Sequence, residues 1–230
     1  MATSLEDIGM KTEDDDSLDD HFSKLYMDQE DDPSDTVAWS IQKAIPTTKT
    51  EIAQAATVAR RTIAFARAKT NTQPTAGQKE YGNYSKGVLA YMGLRIRLEN
   101  PKGSYRTGVD KSGTAWKVHM KHDYGYFIRR NGNEETPIGN DGDPVDVFIG
   151  PDLASQKVFI INQAKVGVPG KVFDEVKCVL GATTKPQAAA IYLSNYAKGW
   201  QKNIISIAQM DMREFQDWLT SGNTSKPVNP

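Results

Sequence analysis

The first 36 residues carry thirteen carboxylates: Glu6, Asp7, Glu13 to Asp16, Asp19, Asp20, Asp28, Glu30 to Asp32 and Asp35. Only Lys11 and Lys24 oppose them. A stretch of this kind repels itself and holds too little apolar surface to offset the entropy of ordering. Any packed fold is therefore confined to the remainder of the chain, and residues 1–36 are expected to be an acidic, disordered tail. Phe22, Leu25, Tyr26 and Met27 are its one apolar cluster. The alternative is a short helix there, docking onto a protein partner or onto the rest of the chain. The whole chain has a net charge of −1, so a tail at −11 leaves +10 for the other 194 residues. The pattern is an acidic tail on a basic body.

The 230 residues have room for one sizeable domain plus an extension. Cys178 is the single cysteine, which excludes an intrachain disulfide and favours a reducing compartment. No apolar run approaches the ~20 residues that span a bilayer, so no membrane association is expected. The N-terminus lacks the basic start and apolar stretch of a secretion signal.

Residues 37–72 read as a helical segment and linker. Thr48-Lys49-Thr50-Glu51 has capping-box spacing. Ile52, Ala55, Ala56, Ala59, Ile63 and Ala66 then recur at helical intervals, with Arg60, Arg61 and Arg67 on the remaining surface. That predicts a packing helix with a solvated basic face; nucleic acid is not excluded as its partner, but charge alone carries no specificity. Thr70 to Gln78, with Pro74 and Gly77, reads as a linker.

From Tyr81 the pattern becomes β-like. Leu94 to Glu99 and Trp116 to Met120 alternate apolar and polar residues, with a hairpin turn expected at Lys111-Ser112-Gly113. Val145 to Ile149, Val158 to Ile161 and Phe173 to Leu180 read as further strands. The end of the chain reads as helical, one helix starting at Pro186 and a second capped by Asp211 and running through Phe215, Trp218 and Leu219. Strands first and helices last predict an α+β domain with an antiparallel or barrel-like sheet.

The most pointed chemistry lies in Asp141-Gly142-Asp143-Pro144-Val145-Asp146. Three carboxylates this close repel one another unless a cation intervenes, and oxygen ligands suit Mg²⁺ when substrate phosphate completes the shell. Mn²⁺ is a further candidate. An EF-hand loop is a poor match, because Pro144 and Val145 stand at its fourth and fifth positions. A solvated acidic turn is the plain alternative. Val145, Val147, Phe148 and Ile149 weigh against it by tying the segment to a core.

The run Asp141 to Val147 resembles the signature of the family I (soluble) inorganic pyrophosphatases. His122-Asp123-Tyr124-Gly125-Tyr126 resembles that family's Asn-Tyr-Gly-Tyr segment. Glu99-Asn100-Pro101 resembles its Glu-Ile-Pro, and Glu175-Val176-Lys177 its Asp-x-Lys pair, all in the family's order. From Gly82-Asn83-Tyr84-Ser85-Lys86-Gly87 to Ala197-Lys198-Gly199-Trp200 the chain is more similar still to the pyrophosphatase-like domains of polyvalent and stand-alone phage proteins. The resemblance implies a pyrophosphatase-like domain over 73–222, followed by a flexible tail at 223–230. It implies an OB-like antiparallel β-barrel with flanking C-terminal helices.

The resemblance further implies Mg²⁺-dependent hydrolysis of pyrophosphate or another phosphoanhydride. Asp141 and Asp146 would ligate metal, Glu175 would complete the site with Asp174 assisting, and Glu99 would sit by a substrate-side metal. Asp143 would accept the proton of the attacking water, while Tyr124 and Lys177 would contact phosphate. Arg106 stands where the family has a phosphate-binding Lys. Further cationic candidates are Lys102, Lys117 and Lys198, since phosphoryl transfer demands charge neutralisation.

The chain departs from the family at several points. The next essential Arg has no clear counterpart, Lys117 and His119 lying near its position. Glu175 replaces an Asp, and Tyr196 and Lys198 only loosely match a Tyr-Lys pair. These departures motivate the alternative of a catalytically altered fold that binds phosphate, nucleotide or a protein partner without turnover. The phage likeness implies the host cytoplasm, with carriage in the virion as a further expectation. His21, His119, His122 and Cys178 are too scattered for a zinc site. Cys178, among apolar neighbours, reads as a buried, inert thiol. Lys86 reads as a surface lysine on a turn.

Overall fold

The computed structural model describes residues 45–110, 113–128 and 139–230. The chain divides into two units, Met1–Ile41 and Gln42–Pro230, and the structure described is that of the second. The expectations for the acidic tail, for the Phe22 to Met27 cluster and for Lys111-Ser112 lie outside the described residues.

Helix α1 (Lys49–Lys69) begins where the capping box predicts: the Thr48 side chain accepts from Glu51 N–H, and the Glu51 carboxylate accepts from Thr48 N–H. Its buried face is Ala56, Ala59, Thr62, Ile63 and Ala66. Small residues let the helix lie close to the sheet, so close that a Cβ on Gly87 would meet the Ala66 carbonyl at 2.2 Å. Thr62 fastens it by donating to the Ala90 carbonyl at 3.1 Å. The expected solvated basic face is corrected at Arg67, whose guanidinium donates through Nε and Nη2 to Asp123 at 2.9 and 2.6 Å. The stretch read as linker contains a five-residue helix, α2 (Ala76–Glu80), with its own capping box between Thr75 and Gln78.

Among the described residues, seven strands form one sheet in the order β1-β2-β5-β6-β8-β7-β9. They are β1 (Val88–Tyr91), β2 (Leu94–Asn100), β5 (Asp123–Ile128), β6 (Asp146–Ile149), β7 (Lys157–Ala164), β8 (Phe173–Leu180) and β9 (Ile204–Asp211). All neighbours are antiparallel except β6 and β8, which run parallel. The remaining strands, β3 (Tyr105–Val109) and β4 (Ala115–His119), pair with each other as a separate hairpin. The α+β class and the mainly antiparallel sheet agree with the sequence. Strands β1 and β9 are the sheet edges, and no ladder joins them among the described residues. No helix there is long and apolar enough to cross a membrane.

The C-terminal expectation of helices alone is corrected by β9. It lies between α3 (Lys185–Leu193) and α4 (Met212–Ser221) and returns along β7 as an edge strand. Pro186 falls in the first turn of α3, and Asp211 caps α4 by accepting from Glu214 N–H at 2.8 Å.

Strand alternation gives the sheet two apolar faces. One carries Leu94, Ile96, Leu98, Val147, Ile160 and Cys178 under α1 and α4. The other carries Tyr124, Phe148, Phe159, Ile161 and Val179, covered by Ala188, Ile191 and Tyr192 of α3. Asp146 has the parity of Phe148 and Lys177 that of Val179, so the polar residues of β6 and β8 extend this second face.

Candidate functional site

At the end of the second face, four adjacent strands align their polar residues. Asp146 of β6 is the register partner of Tyr126 on β5 and of Lys177 on β8. Glu175 is the register partner of Gln163 on β7. The buried Lys177 ammonium is ion-paired to Asp146 Oδ2 and lies 2.6 Å from Glu175 Oε2. Tyr124 donates to the same Asp146 Oδ2 at 2.6 Å, so Oδ1 enters neither contact.

Electrostatics follow from this packing. Burial works against the Lys177 charge, but Asp146, Tyr124, Tyr196 and Glu175 more than restore it and hold its pKa well above the ordinary value. Glu175 is pushed up to about 7, first by burial and then by Asp146 and Asp141, with Lys177 opposing. Burial and Asp146 also raise Tyr124, keeping its hydroxyl a donor.

Arg106 enters from β3. Its guanidinium carbon lies 4.6 Å from the Tyr124 ring centre and 5.8 Å from that of Trp116. Burial opposes its charge, yet Tyr124, Tyr196, Asp146 and Glu99 together raise its pKa. Gly108, on the same strand, leaves room for the Trp116 ring, which a Cβ would meet at 2.4 Å. Arg106 thus feels the charges of both Asp146 and Glu99.

Asp141 and Asp143 stand on the exposed turn that leads into β6. Gly142 has φ +89°, a left-handed conformation that glycine takes without a Cβ penalty. Asp143 N–H donates to Asp141 Oδ1 at 3.2 Å, and its carbonyl accepts from Gly139 N–H at 2.8 Å. Burial, Asp141 and Asp146 raise the Asp143 pKa against the pull of Lys177. Asp141 and Asp146 are therefore both near enough to act on Asp143. Asp174 shares the parity of Val176 rather than that of Glu175 and Lys177. Its contact with the acidic turn is through its carbonyl, which accepts from Asn140 Nδ2 at 2.9 Å.

Glu99, at the end of β2, pairs with Lys86 at 3.0 Å. The surface reading of Lys86 is corrected: its side chain is largely buried, with the ammonium 4.6 Å from the Tyr84 ring centre and 5.4 Å from that of Tyr126. Next to this pair lies a polar cleft of about 180 Å³ whose walls include Asn71, Thr72, Tyr84, Glu99, Arg106 and Thr107. Of the cationic candidates, Arg106 and Lys177 converge on Tyr124, whereas Lys102, Lys117 and Lys198 are exposed.

Gly125 shows why a glycine sits between Tyr124 and Tyr126. A Cβ there would meet the Arg97 carbonyl at 2.1 Å, so β2 and β5 could not approach. The sequence reading passed over Gln163, Tyr192 and Trp200, which hydrogen-bond in series toward Glu175. Gln163 left a signal, being an amide within the apolar run of β7. His122 Nδ1 lies 3.2 Å from Ser194 Oγ, and no cluster of three His, Cys, Asp or Glu able to hold a metal forms among the described residues. Cys178 is buried, and burial pushes its thiol far up.

A mostly antiparallel α+β domain thus gathers carboxylates and two buried or half-buried cations, Arg106 and Lys177, at one end of a sheet face. The family model described as Inorganic Pyrophosphatase matches residues 76–220. The chain belongs to the inorganic pyrophosphatase family. No curated protein and no solved structure matches it.

Proposed function

We propose that this protein hydrolyses pyrophosphate or a closely related phosphoanhydride with Mg²⁺. The observation that carries the reading is the convergence of Lys177, Asp146, Glu175 and Tyr124 in one hydrogen-bonded cluster, with Arg106 stacked over Tyr124.

The donor chemistry fits a hard divalent cation. All candidate ligands are carboxylate oxygens, Asp146 keeps Oδ1 outside its contacts with Tyr124 and Lys177, and Asp143 is raised first by burial and then by Asp141 and Asp146, whose like charges a cation would offset. Asp141, Asp146 and Glu175 would hold the ion, with Glu99 on the substrate side and Asp174 farther back. Among the described residues no three acidic, His or Cys side chains close on one point. Water and phosphate oxygens would have to complete the shell, as Mg²⁺ commonly arranges. What a bound cation supplies is charge neutralisation and a water of lowered pKa.

The chain's own residues do the rest. Asp143, exposed and raised, takes the proton of the attacking water. Arg106 and Lys177 neutralise the phosphate oxygens, and the Tyr124 hydroxyl orients Asp146. Phosphate release from pyrophosphate should require Mg²⁺ or Mn²⁺. Asp143→Asn should lower it about 10²- to 10⁴-fold, the range of a positioned base, with metal binding and melting temperature retained. No release with any divalent metal would overturn the reading.

One observation favours a second reading, phosphate or nucleotide binding without turnover. Lys177 already compensates Asp146 and Glu175, and Lys117, near the place of the family's missing Arg, is exposed. Under it, pyrophosphate binding survives Asp143→Asn and no phosphate appears. Phage origin, action in a host cytoplasm or virion and a partner for the acidic tail complete the proposal.

A further inference from the structure

Three buried or half-buried side chains from separate elements form a line of hydrogen bonds that ends on Glu175. Trp200, in the 3-10 turn Trp200–Asn203, donates Nε1–H to the Tyr192 hydroxyl at 2.7 Å. Tyr192, on α3, donates to Gln163 Oε1. Gln163, on β7, donates from Nε2 to Glu175 Oε1 at 2.9 Å. Tyr192 is 0% exposed and Gln163 4%, so neither of these groups can exchange its partner for bulk water at little cost.

With Glu175 ionised, every bond in the line has one allowed direction. Indole nitrogen can only donate. The Tyr192 oxygen therefore accepts from Trp200, and its single proton is left for Gln163. The amide then presents its oxygen to Tyr192 and its nitrogen to Glu175. Flipping that amide would set its carbonyl oxygen against a carboxylate oxygen and its NH₂ against a hydroxyl whose oxygen already accepts from Trp200. The chain thus leaves Glu175 one orientation, with Oε1 held by Gln163 and Oε2 facing Lys177.

The backbone points the same way. The β7–β8 ladder shifts register between Gln163 and Ala164, and the β7–β9 ladder shifts between Asn162 and Gln163. Irregularities of this kind re-aim a side chain, and here both adjoin Gln163, which donates to Glu175. Trp200 is held in turn by a stacked ring, Tyr196, at 4.5 Å and 8°.

The geometry points to Gln163, fixed by Tyr192 and Trp200, as a positioning residue that sets the Glu175 carboxylate for a divalent cation. The inference rests on the proposed metal-dependent reading of the site. Outer partners of a metal-ligating carboxylate contribute about 10- to 100-fold in affinity.

The test is Mn²⁺ binding to the full-length protein, followed by the paramagnetic signal of the free ion, beside thermal melting. Gln163→Met keeps the volume and removes the donor, and should weaken Mn²⁺ binding about tenfold or more. Tyr192→Phe keeps the ring packing, removes the hydroxyl and should weaken binding by less than Gln163→Met does, because Gln163 keeps its bond to Glu175. The double variant should bind like Gln163→Met alone, because residues acting in one chain are not additive. Should Gln163→Met fail to fold, Tyr192→Phe and Trp200→Phe still decide the matter. Folded variants with wild-type Mn²⁺ affinity, altered only in melting temperature, would overturn the inference and leave the hydrolase reading standing. A wild-type protein that neither binds Mn²⁺ nor releases phosphate would overturn both.

Discussion

Lys177 and Asp146 are register partners on the parallel strands β8 and β6, and their side chains form a buried ion pair at the end of one sheet face. Among the described residues parallel pairing occurs once in the sheet, and it places an ammonium where two carboxylates, Asp146 and Glu175, would otherwise face each other. The pair is both a structural element and part of the candidate site.

Lys177→Met is expected to cost about 3–5 kcal/mol, because it strands buried carboxylates without their counter-ion. Mg²⁺ should then return more stability to this variant than it adds to the wild type. Urea denaturation with and without Mg²⁺ measures both quantities. An identical Mg²⁺ response in the two proteins would separate these carboxylates from any cation site.

Glu175 makes stability depend on pH. Its folded pKa is about 7 against an ordinary 4.5, raised by burial, Asp146 and Asp141. The folded state therefore holds this proton more tightly than the unfolded state. Its contribution is fully present below 4.5, declines as pH rises, and is lost above about 7. Glu175→Gln should flatten that decline when denaturation midpoints are compared at pH 5 and pH 8.

Arg67 and Asp123 join α1 to the sheet, Asp123 being only 3% exposed. Replacing Arg67 with Met leaves the carboxylate with the Lys102 N–H at 2.9 Å among the bonds described. A loss of about 1.5–3 kcal/mol follows from the charged hydrogen bonds removed. Amide exchange in α1 should accelerate, with Mn²⁺ affinity unchanged. Slow exchange in the variant would show that the apolar face alone docks the helix.

Gly125→Ala places a methyl group against the Arg97 carbonyl. An overpacked contact of this kind costs about 1–3 kcal/mol. The backbone of β5 must move, carrying Tyr124 away from Asp146, so chemical shifts of the Tyr124 ring should change along with the denaturation midpoint. An unshifted ring would mean that β2 yields instead.

Local features are legible in the sequence. The Thr48–Glu51 capping box, the Asp211 cap and the bounds of β8 each depend on residues within a few positions. The acidic run Asp141 to Asp146 and the pair Glu175 and Lys177 are legible as chemistry for the same reason. Strand β9 is not, because it lies between two helical stretches and takes its identity from β7. The short helix α2 is hidden by Pro74 and Gly77, although its capping box is present. Lys86 cannot be read as a partner of Glu99, thirteen residues away across a strand pair. Arg67 and Asp123, 56 residues apart, leave no mark on each other's surroundings in the sequence.

By itself the sequence determined the α+β class, the family and the supply of carboxylates and cations, because these follow from local pattern and residue type. Tertiary structure decided which of them meet. Register across β6 and β8 brought Lys177 to Asp146, the β3 hairpin laid Arg106 over Tyr124, and a buried amide on β7 took charge of Glu175. Those contacts join residues distant in the chain, and only the packing of the sheet and its helices sets their distances, burial and charge.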